Sequence, residues 1–176
     1  MENREQNYTI RNAGADEFAE IGKLMVRVYS RVEGFPKESE QPEYYKMLST
    51  IGELTYKPGT ELLVAISPEN KIAGAVVYFS DMQYYGSGGT ATLQKDAAGF
   101  RLLAVDPSFR GKGIGKLLTN ECIQKARDKK LSQLIIHSTK SMQTAWKMYE
   151  GMDFKRSEDL DFMQGQLAVF GFRLML

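Results

Sequence analysis

One segment of the chain, residues 100–137, constrains the fold more than any other. It begins with the apolar run Phe100–Val105, continues through a loop of alternating glycine and basic residues, and enters a helical pattern at Ile114. A second apolar run, Gln133–His137, follows that helix. A strand–helix–strand unit of this spacing is a right-handed crossover, so its two strands are parallel neighbours. The segment therefore predicts a sheet with at least one parallel pair.

The loop of this unit, Arg110–Gly115, is suited to binding an anion. Three of its six residues are glycines, so no side chains cover the backbone N–H groups at the start of the helix. Unpaired amides and the positive end of the helix dipole both attract phosphate at such a position. An ordinary solvated turn would not need three glycines, because glycine costs backbone entropy. We therefore predict a phosphate-binding loop.

Two well-known phosphate loops fit the segment poorly. A nucleotide-hydrolase loop requires GxxxxGK followed by Ser or Thr, whereas Leu117 occupies that last position and Arg110 replaces the first glycine. A dinucleotide loop requires GxGxxG and an acid at the end of the next strand. Here the third glycine would fall at Lys116, and the next strand ends without an acid. Both interpretations are disfavoured.

The loop instead matches the Arg/Gln-x-x-Gly-x-Gly/Ala motif, and the chain resembles the GNAT-type N-acetyltransferases. Val105-Asp106-Pro107 before the loop is similar to the exit of that family's fourth strand. Tyr149-Glu150-Gly151-Met152-Asp153-Phe154 is similar to its Tyr-Glu-x-x-Gly-Phe segment. The resemblance is strong over roughly residues 98–156 and looser elsewhere. It implies an α/β (α+β) fold, a mixed and mostly antiparallel sheet with one splayed parallel strand pair and helices on both faces.

The resemblance also implies a ligand and the residues that bind it. Acetyl-CoA would be the co-substrate, with its pyrophosphate on the loop and its pantetheine arm along the backbone of the preceding strand. Thr144 is included because the family often has Asn at the position of Met142, so a nearby polar residue (Ser141, Gln143 or Thr144) would have to replace that contact. The implied cofactor-binding residues are Leu103, Ala104, Val105, Arg110, Gly111, Lys112, Gly113, Ile114, Gly115, Lys116 and Thr144.

Tyr149 occupies the family's general-acid position. A tyrosine hydroxyl, with a pKa of about 10, stays protonated at neutral pH and can donate to a departing thiolate, whose thiol has a pKa of about 8.5. The alternative is that Tyr149 only packs, because it shares a helix face with Met142, Ala145 and Trp146. No motif identifies a general base. His137 is expected to be a hydrogen-bonded histidine at the core or rim of the sheet.

Two functions from different classes follow. The first is transfer of acetyl from acetyl-CoA to a primary amine, by direct attack in a ternary complex. The second is a non-catalytic acyl-CoA-binding or regulatory module on the same fold. Three segments, Arg31–Pro36, Asp81–Ala97 and Glu158–Asp161, are expected to line the acceptor side. Aromatic rings and carboxylates there favour a small cationic amine; they belong to Phe35, Tyr84, Tyr85, Asp81, Glu158, Asp159 and Asp161.

Composition limits the remaining possibilities. The 176 residues predict a single domain, 1–176, and a net charge of +1 gives no reason to expect nucleic acid or a membrane surface as partner. The single cysteine, Cys122, excludes an intrachain disulfide, and with one histidine it argues against a structural zinc site, so no metal is expected. Residues 1–5 lack the apolar core of a signal peptide. We expect a cytoplasmic enzyme, and a homodimer is left open.

The rest of the chain is divided by periodicity and turn residues. Residues 80–98 are predicted to be a long polar loop, functional or mobile, and Gly151 is predicted to cap the last helix. The other predicted elements are a strand at Tyr8–Arg11, a helix of about four turns after Asp16, a helix over Tyr44–Ile51, a hairpin of Leu62–Ile66 with Ile72–Tyr78, a helix over Met142–Glu150, a strand starting near Phe154 and a last strand at Ala168–Leu174.

Overall fold

The computed structural model describes residues 7–176. Residues 1–5, for which the sequence predicts no signal peptide, lie outside these residues. The strands in this range are β1 (Thr9–Asn12), β2 (Thr60–Ile66), β3 (Ile72–Phe79), β4 (Ala97–Val105), β5 (Gln133–Ser138), β6 (Lys155–Arg156), β7 (Phe162–Gln164) and β8 (Leu167–Met175). The α-helices are α1 (Phe18–Ser30), α2 (Pro42–Ser49), α3 (Ile114–Asp128) and α4 (Gln143–Gly151).

The strands form one mixed sheet in the order β1-β2-β3-β4-β5-β8-β6, with β7 paired to β8. Every pairing is antiparallel except β4 with β5. That parallel pair is bonded only where Ala97–Gly99 lies beside Gln133–Ile135. Beyond it β4 stays with β3 and β5 stays with β8, so the two strands separate. The predicted fold class, including the splayed parallel pair, is confirmed.

A β-bulge in β4 accompanies this separation. Ala75 of β3 lies opposite Ala104, but Val77 lies opposite Arg101, so Leu102 and Leu103 together face the single residue Val76. Leu102 has a φ of 61°, an uncommon conformation for a leucine. A bulge bends its strand and increases the local twist. The bend therefore begins just past the last residue of β4 that is paired with β5.

Helices cover both faces of the sheet. On one face, α1 and α2 bury Ile21, Leu24, Met25 and Leu48 against β2, β3 and β4. On the other face, α3 buries an apolar stripe at four-residue spacing, made by Ile114, Leu118, Cys122 and Ala126. Cys122 is fully buried and its pKa is raised by desolvation, as expected of a core thiol. We call the two sides the α1/α2 face and the α3 face.

The segment between β3 and β4 differs from the predicted polar loop. It contains two short 3-10 helices, Met82–Tyr84 and Ala91–Leu93, and β4 begins earlier than predicted, at Ala97. Met82, Tyr85 and Ala91 are buried in the core of the α1/α2 face. Glycines and polar residues mask these three apolar anchors in the sequence; they fix the segment to the core while most of its other residues stay at or near the surface.

The predicted glycine cap of α4 is wrong. Gly151 is the last residue inside the helix, and its φ is not positive. The left-handed residue is Asp153, with a φ of 70°. The N–H groups of Met152 and Phe154 both bond to the carbonyl of Tyr149, so the chain turns two residues later than the glycine predicts. Aspartate tolerates this conformation better than most residues do.

Candidate active site

The glycine-rich loop opens onto free space at the start of α3. Gly111 and Gly113 have φ values of 76° and 77°, in the left-handed region that favours glycine. A Cβ atom placed on either would meet no atom within 4 Å. Gly113 is the N-cap residue of α3, so the unpaired N–H groups of the first helical turn lie beside this space. The loop therefore has the conformation and the room that an anion would need.

Basic side chains surround the loop. Arg110, Lys112 and Lys116 are all exposed, and within residues 7–176 none of them forms an ion pair. The Lys112 ammonium lies 5.5 Å from the ring centroid of Phe109. Uncompensated cations at a helix N-terminus attract a polyanion such as a pyrophosphate.

An aspartate fixes the turn that leads into the loop. The Asp106 carboxylate accepts hydrogen bonds from the Ser108 N–H at 2.9 Å and from the Arg27 guanidinium at 2.7 Å. Its pKa is lowered by these interactions, in spite of partial desolvation. Arg27 belongs to α1, so the ion pair ties the loop to the opposite face of the sheet.

The last residues of β4 present backbone groups to the gap between β4 and β5. The Asp106 N–H donates to the carbonyl of Ala73 at 2.8 Å. Because backbone groups alternate along a strand, Ala104 also faces β3, whereas Leu103 and Val105 face the gap. The Leu103 carbonyl accepts a bond from the Tyr29 hydroxyl at 3.2 Å. Of the three predicted backbone positions, Leu103 and Val105 are therefore the two at the open edge.

Tyr149 lies on α4 in an aromatic pocket. Its side chain is 5% exposed, with its ring centroid 5.9 Å from that of Phe100 and 5.6 Å from that of Phe154. Burial raises the pKa of its hydroxyl, so Tyr149 is protonated at neutral pH. Within the described residues, the hydroxyl makes no hydrogen bond. The O–H group of Tyr149 is therefore not engaged by another described residue.

α4 also meets the glycine loop through the residue before Tyr149. A Cβ atom on Gly115 would lie 3.4 Å from Met148 Sδ and 3.8 Å from Leu103 Cδ2. The first turn of α3, the bulged part of β4 and α4 thus converge at one place. Thr144 is exposed in the first turn of α4, and Met142 packs on the core of the α1/α2 face.

Two hydroxyl groups at the end of β5 were missed by the sequence analysis. Ser138 Oγ and Thr139 Oγ1 are buried and have no hydrogen-bond partner in the part of the chain that the structure describes. A buried hydroxyl without a partner is unfavourable. Both lie past Ile135, the last residue of β5 that is paired with β4, and so beside the gap between these two strands. Nothing in the run LIIHST marks them, because serine and threonine at a strand end are usually satisfied by a turn.

His137 is a fully bonded histidine, as expected. Its Nε2 lies 2.8 Å from the Leu160 carbonyl, which can only accept, so Nε2 carries the proton. Its Nδ1, 2.9 Å from the Tyr85 hydroxyl, is then the acceptor. Desolvation lowers the pKa of the imidazole. The neutral ring therefore links Tyr85 to Leu160, and neither nitrogen is free for a substrate.

Several residues expected to line the acceptor side are engaged elsewhere. Tyr85 and Phe35 are buried in the core, so their rings offer little surface to an acceptor. Asp159 pairs with Arg173 at 2.7 Å, and Asp161 pairs with the Arg156 guanidinium at 2.8 Å. Two of the four carboxylates and two of the three aromatic rings that favoured a cationic acceptor are thus already engaged within the protein.

The turn after α1 borders an open hollow at the surface. A hollow of about 550 Å³ is lined by Gly34, Phe35 and Pro36 on one side and by Gln164 and Leu167 on the other. A Cβ atom on Gly34 would lie 2.9 Å from Ser141 Oγ, on the connection between β5 and α4.

Two other kinds of site are absent from residues 7–176. No helix among them has the length and apolar character needed to cross a bilayer. In the same range, no three His, Cys, Asp or Glu side chains are grouped so as to hold a metal ion.

Comparison with known proteins defines the class. A model of the acetyltransferase (GNAT) family matches residues 23–154. That match covers most of the chain, and it includes the bulged strand, the glycine loop and Tyr149. The chain belongs to the acetyltransferase (GNAT) family.

Solved structures of this class share the fold. An acetyltransferase of the GNAT family from Staphylococcus aureus has a TM-score of 0.73 at 14% identity, over 96% of this chain and 99% of that one. The PaiA N-acetyltransferase from Thermoplasma acidophilum, solved in complex with coenzyme A, has a TM-score of 0.71 at 13% identity, over 94% of this chain and 98% of that one. At such identities the likeness shows the fold alone.

A curated relative is similar over a shorter stretch. Mouse N-acetyltransferase 8B is 38% identical over 55 residues, which are 31% of this chain and 24% of that protein. The match thus spans about a quarter of the relative's length.

Proposed function

We propose that this protein transfers acetyl from acetyl-CoA to a primary amine by direct attack in a ternary complex. The observation that carries the proposal is the splayed β4–β5 pair with the open glycine loop at its end. In a sheet this is an unusual arrangement, because it leaves strand backbone unpaired in the interior. A ligand that combines a pyrophosphate with an amide-bearing arm satisfies both parts at once.

The residues present fit coenzyme A. We assign the pyrophosphate to the exposed loop and the first turn of α3, where amides and cations are uncompensated. Leu103 and Val105 offer backbone groups to the pantetheine amides, and the orphan hydroxyls of Ser138 and Thr139 border the same gap. The full proposed set is Leu103, Ala104, Val105, Arg110, Gly111, Lys112, Gly113, Ile114, Gly115, Lys116 and Thr144, in which Ala104, whose backbone faces β3, counts only as the residue between Leu103 and Val105.

Tyr149 is assigned as the general acid. The amine nitrogen attacks the thioester carbonyl carbon, the C–N bond forms, and the C–S bond breaks. Tyr149 donates its proton to the departing sulfur and the amine gives up a proton to water, so charge balances. The raised pKa of the hydroxyl keeps this proton in place at neutral pH. A tyrosinate formed in this apolar pocket would recover a proton readily.

A non-catalytic acyl-CoA-binding module remains the second candidate, because Tyr149 packs well between Phe100 and Phe154. Release of free thiol from acetyl-CoA, measured with a panel of primary amines, separates the two. Amine-dependent thiol release with formation of the N-acetyl product supports the proposal. Tight acetyl-CoA binding without amine-dependent release favours the module.

A further inference from the structure

One arginine on the acceptor side has no carboxylate partner. Arg101 is the β4 residue directly before the bulged Leu102, and it belongs to the α1/α2 face with Tyr85. Its Nη1 donates to the Tyr85 carbonyl at 2.9 Å, and the guanidinium lies 5.6 Å from the centroid of the Tyr85 ring. Among residues 7–176, no carboxylate lies within ion-pair distance of it.

The neighbourhood of Arg101 offers little compensation for its charge. The side chain is partly buried, and Gly86, with a φ of 77°, approaches it so closely that a Cβ atom would lie 3.0 Å from Nη1. Tyr29 and Tyr44 pack edge to face at 6.4 Å. The positive charge of Arg101 acts to lower the pKa of both hydroxyls, against the larger effect of burial. Burial raises the pKa of Tyr44 to about 12, so it is neutral. The ring faces attract a cation but do not replace a counter-ion.

Most of the donors of this guanidinium are also unused. A guanidinium has five N–H donors in a planar fork, and the described residues accept only one bond from Arg101. A partly desolvated charge with unused donors is unfavourable unless a ligand completes it. The matching ligand is a carboxylate, which an arginine binds with two parallel hydrogen bonds.

We infer that the amine acceptor carries a carboxylate and that Arg101 binds it. The inference rests on the proposed function, because it takes the β4–β5 gap as the place of acetyl transfer. Arg101 is two residues before Leu103, whose carbonyl borders that gap. An α-amino acid suits this spacing, because its amine lies only a few bonds from its carboxylate and Arg101 lies only two residues from Leu103. Tyr44, which is only partly buried and packs beside Tyr29, offers an aromatic face to an apolar side chain on that amino acid.

The first test uses matched acceptors that differ only in the anion. Phenylalanine is compared with phenylalaninamide and phenethylamine, and alanine with alaninamide. Rates are expressed per unprotonated amine, because the three acceptors differ in amine pKa: the carboxamide is less basic than the amino acid, and phenethylamine is not. We expect kcat/KM to favour the carboxylate by about tenfold or more, through KM, as charge-assisted hydrogen bonds allow. Equal or better turnover of the carboxamides and of phenethylamine would overturn the inference while leaving acetyl transfer intact.

Variants assign the preference to Arg101. Arg101→Gln should abolish it, leaving KM for acetyl-CoA within about threefold, and Arg101→Lys should retain part of it. Arg127→Gln is the matched control, because Arg127 is an exposed residue of α3 and its loss changes net charge equally. Persistence of the carboxylate preference in folded Arg101→Gln protein, checked by its thermal melt, contradicts the assignment.

If no amine of the panel is acetylated, that result counts against the proposed function. A binding measurement then tests Arg101 separately. Calorimetry with N-acetylphenylalanine and N-acetylphenylalaninamide, in the presence of coenzyme A, then decides the role of Arg101. Binding of the acid about tenfold tighter than the amide in the wild type, and loss of that difference in Arg101→Gln, supports the inference. Equal binding, or no binding of either, overturns it.

Discussion

The loop assignment makes a prediction that separates ligand binding from folding. Gly113→Val places a branched side chain in the space beside the first turn of α3. No atom lies within 4 Å of the new Cβ, so the protein itself does not clash with it. The cost to folding is the strain of a side chain at a φ of 77°, about 1–2 kcal/mol. For a chain of this size, that corresponds to a melting temperature lower by roughly 2–8 °C.

The cost to binding comes from a different cause. A pyrophosphate on the loop must approach the backbone that valine now covers. We expect the Kd for acetyl-CoA to rise at least tenfold, or about 1.4 kcal/mol, measured by titration calorimetry below the melting temperature of the variant.

Gly165→Val is a matched control for the strain. Gly165 also has a positive φ, of 60°, and open space at its Cβ, but it lies between β7 and β8, away from the loop. It should lose similar stability and keep the wild-type Kd for acetyl-CoA. Wild-type affinity in Gly113→Val, or an equal loss of affinity in both variants, would refute the assignment of the pyrophosphate to this loop.

Three further predictions concern the chemistry, the core and the end of α4. Tyr149→Phe keeps the packed ring and removes the donor, so kcat should fall about 10²–10⁴-fold with little change in acetyl-CoA affinity; a kcat within about threefold of wild type, with chemistry limiting, would leave Tyr149 only a packing role. Desolvation lowers the pKa of folded His137 below its unfolded value of about 6.5, so the stabilisation from its neutral form is present above that pH and is lost as pH falls through the folded pKa. The wild-type melting temperature should therefore fall from pH 7 to pH 5 more steeply than that of His137→Asn, and parallel pH profiles would contradict this. Gly151→Ala should stabilise the protein by about 0.4–1 kcal/mol in urea unfolding, because the residue is helical and its Cβ meets nothing. A destabilised variant would instead indicate that Gly151 is the left-handed cap predicted from the sequence.

Local patterns predicted most of the elements because each is determined by nearby residues. The stripe Ile114, Leu118, Cys122 and Ala126 specifies α3 by periodicity alone, and the structure buries all four. The glycine loop was found in the same way, since its conformation depends on residues that are adjacent in sequence. Gly151 shows the limit of this reasoning. Whether a glycine caps a helix depends on where the chain must go next, and here the turn falls at Asp153, directly before the buried Phe154.

The parts of the site that depend on distant residues were not predictable from those patterns. Nothing near Arg101 in the sequence shows that its side chain lies over Tyr85, sixteen residues earlier, without a carboxylate. Likewise, Asp159 and Asp161 look like free acids in the sequence, but β8 and the short strand β6 bring arginines to them. The net charge of an acceptor surface depends on ion pairs between residues of several elements. A prediction that does not know these pairs can therefore have the wrong sign.

The two sequence interpretations of Tyr149, packing residue and general acid, are not mutually exclusive in this structure. The contacts with Phe100 and Phe154 that bury the ring are also what desolvates the hydroxyl and raises its pKa. An acid that must stay protonated until a thiolate forms benefits from that environment. Removing the rings around it should therefore lower the pKa of Tyr149 and loosen the core together, whereas removing only the hydroxyl should affect the chemistry alone. That asymmetry is why Tyr149→Phe, and not Tyr149→Ala, distinguishes a packed tyrosine from a packed tyrosine that also donates a proton.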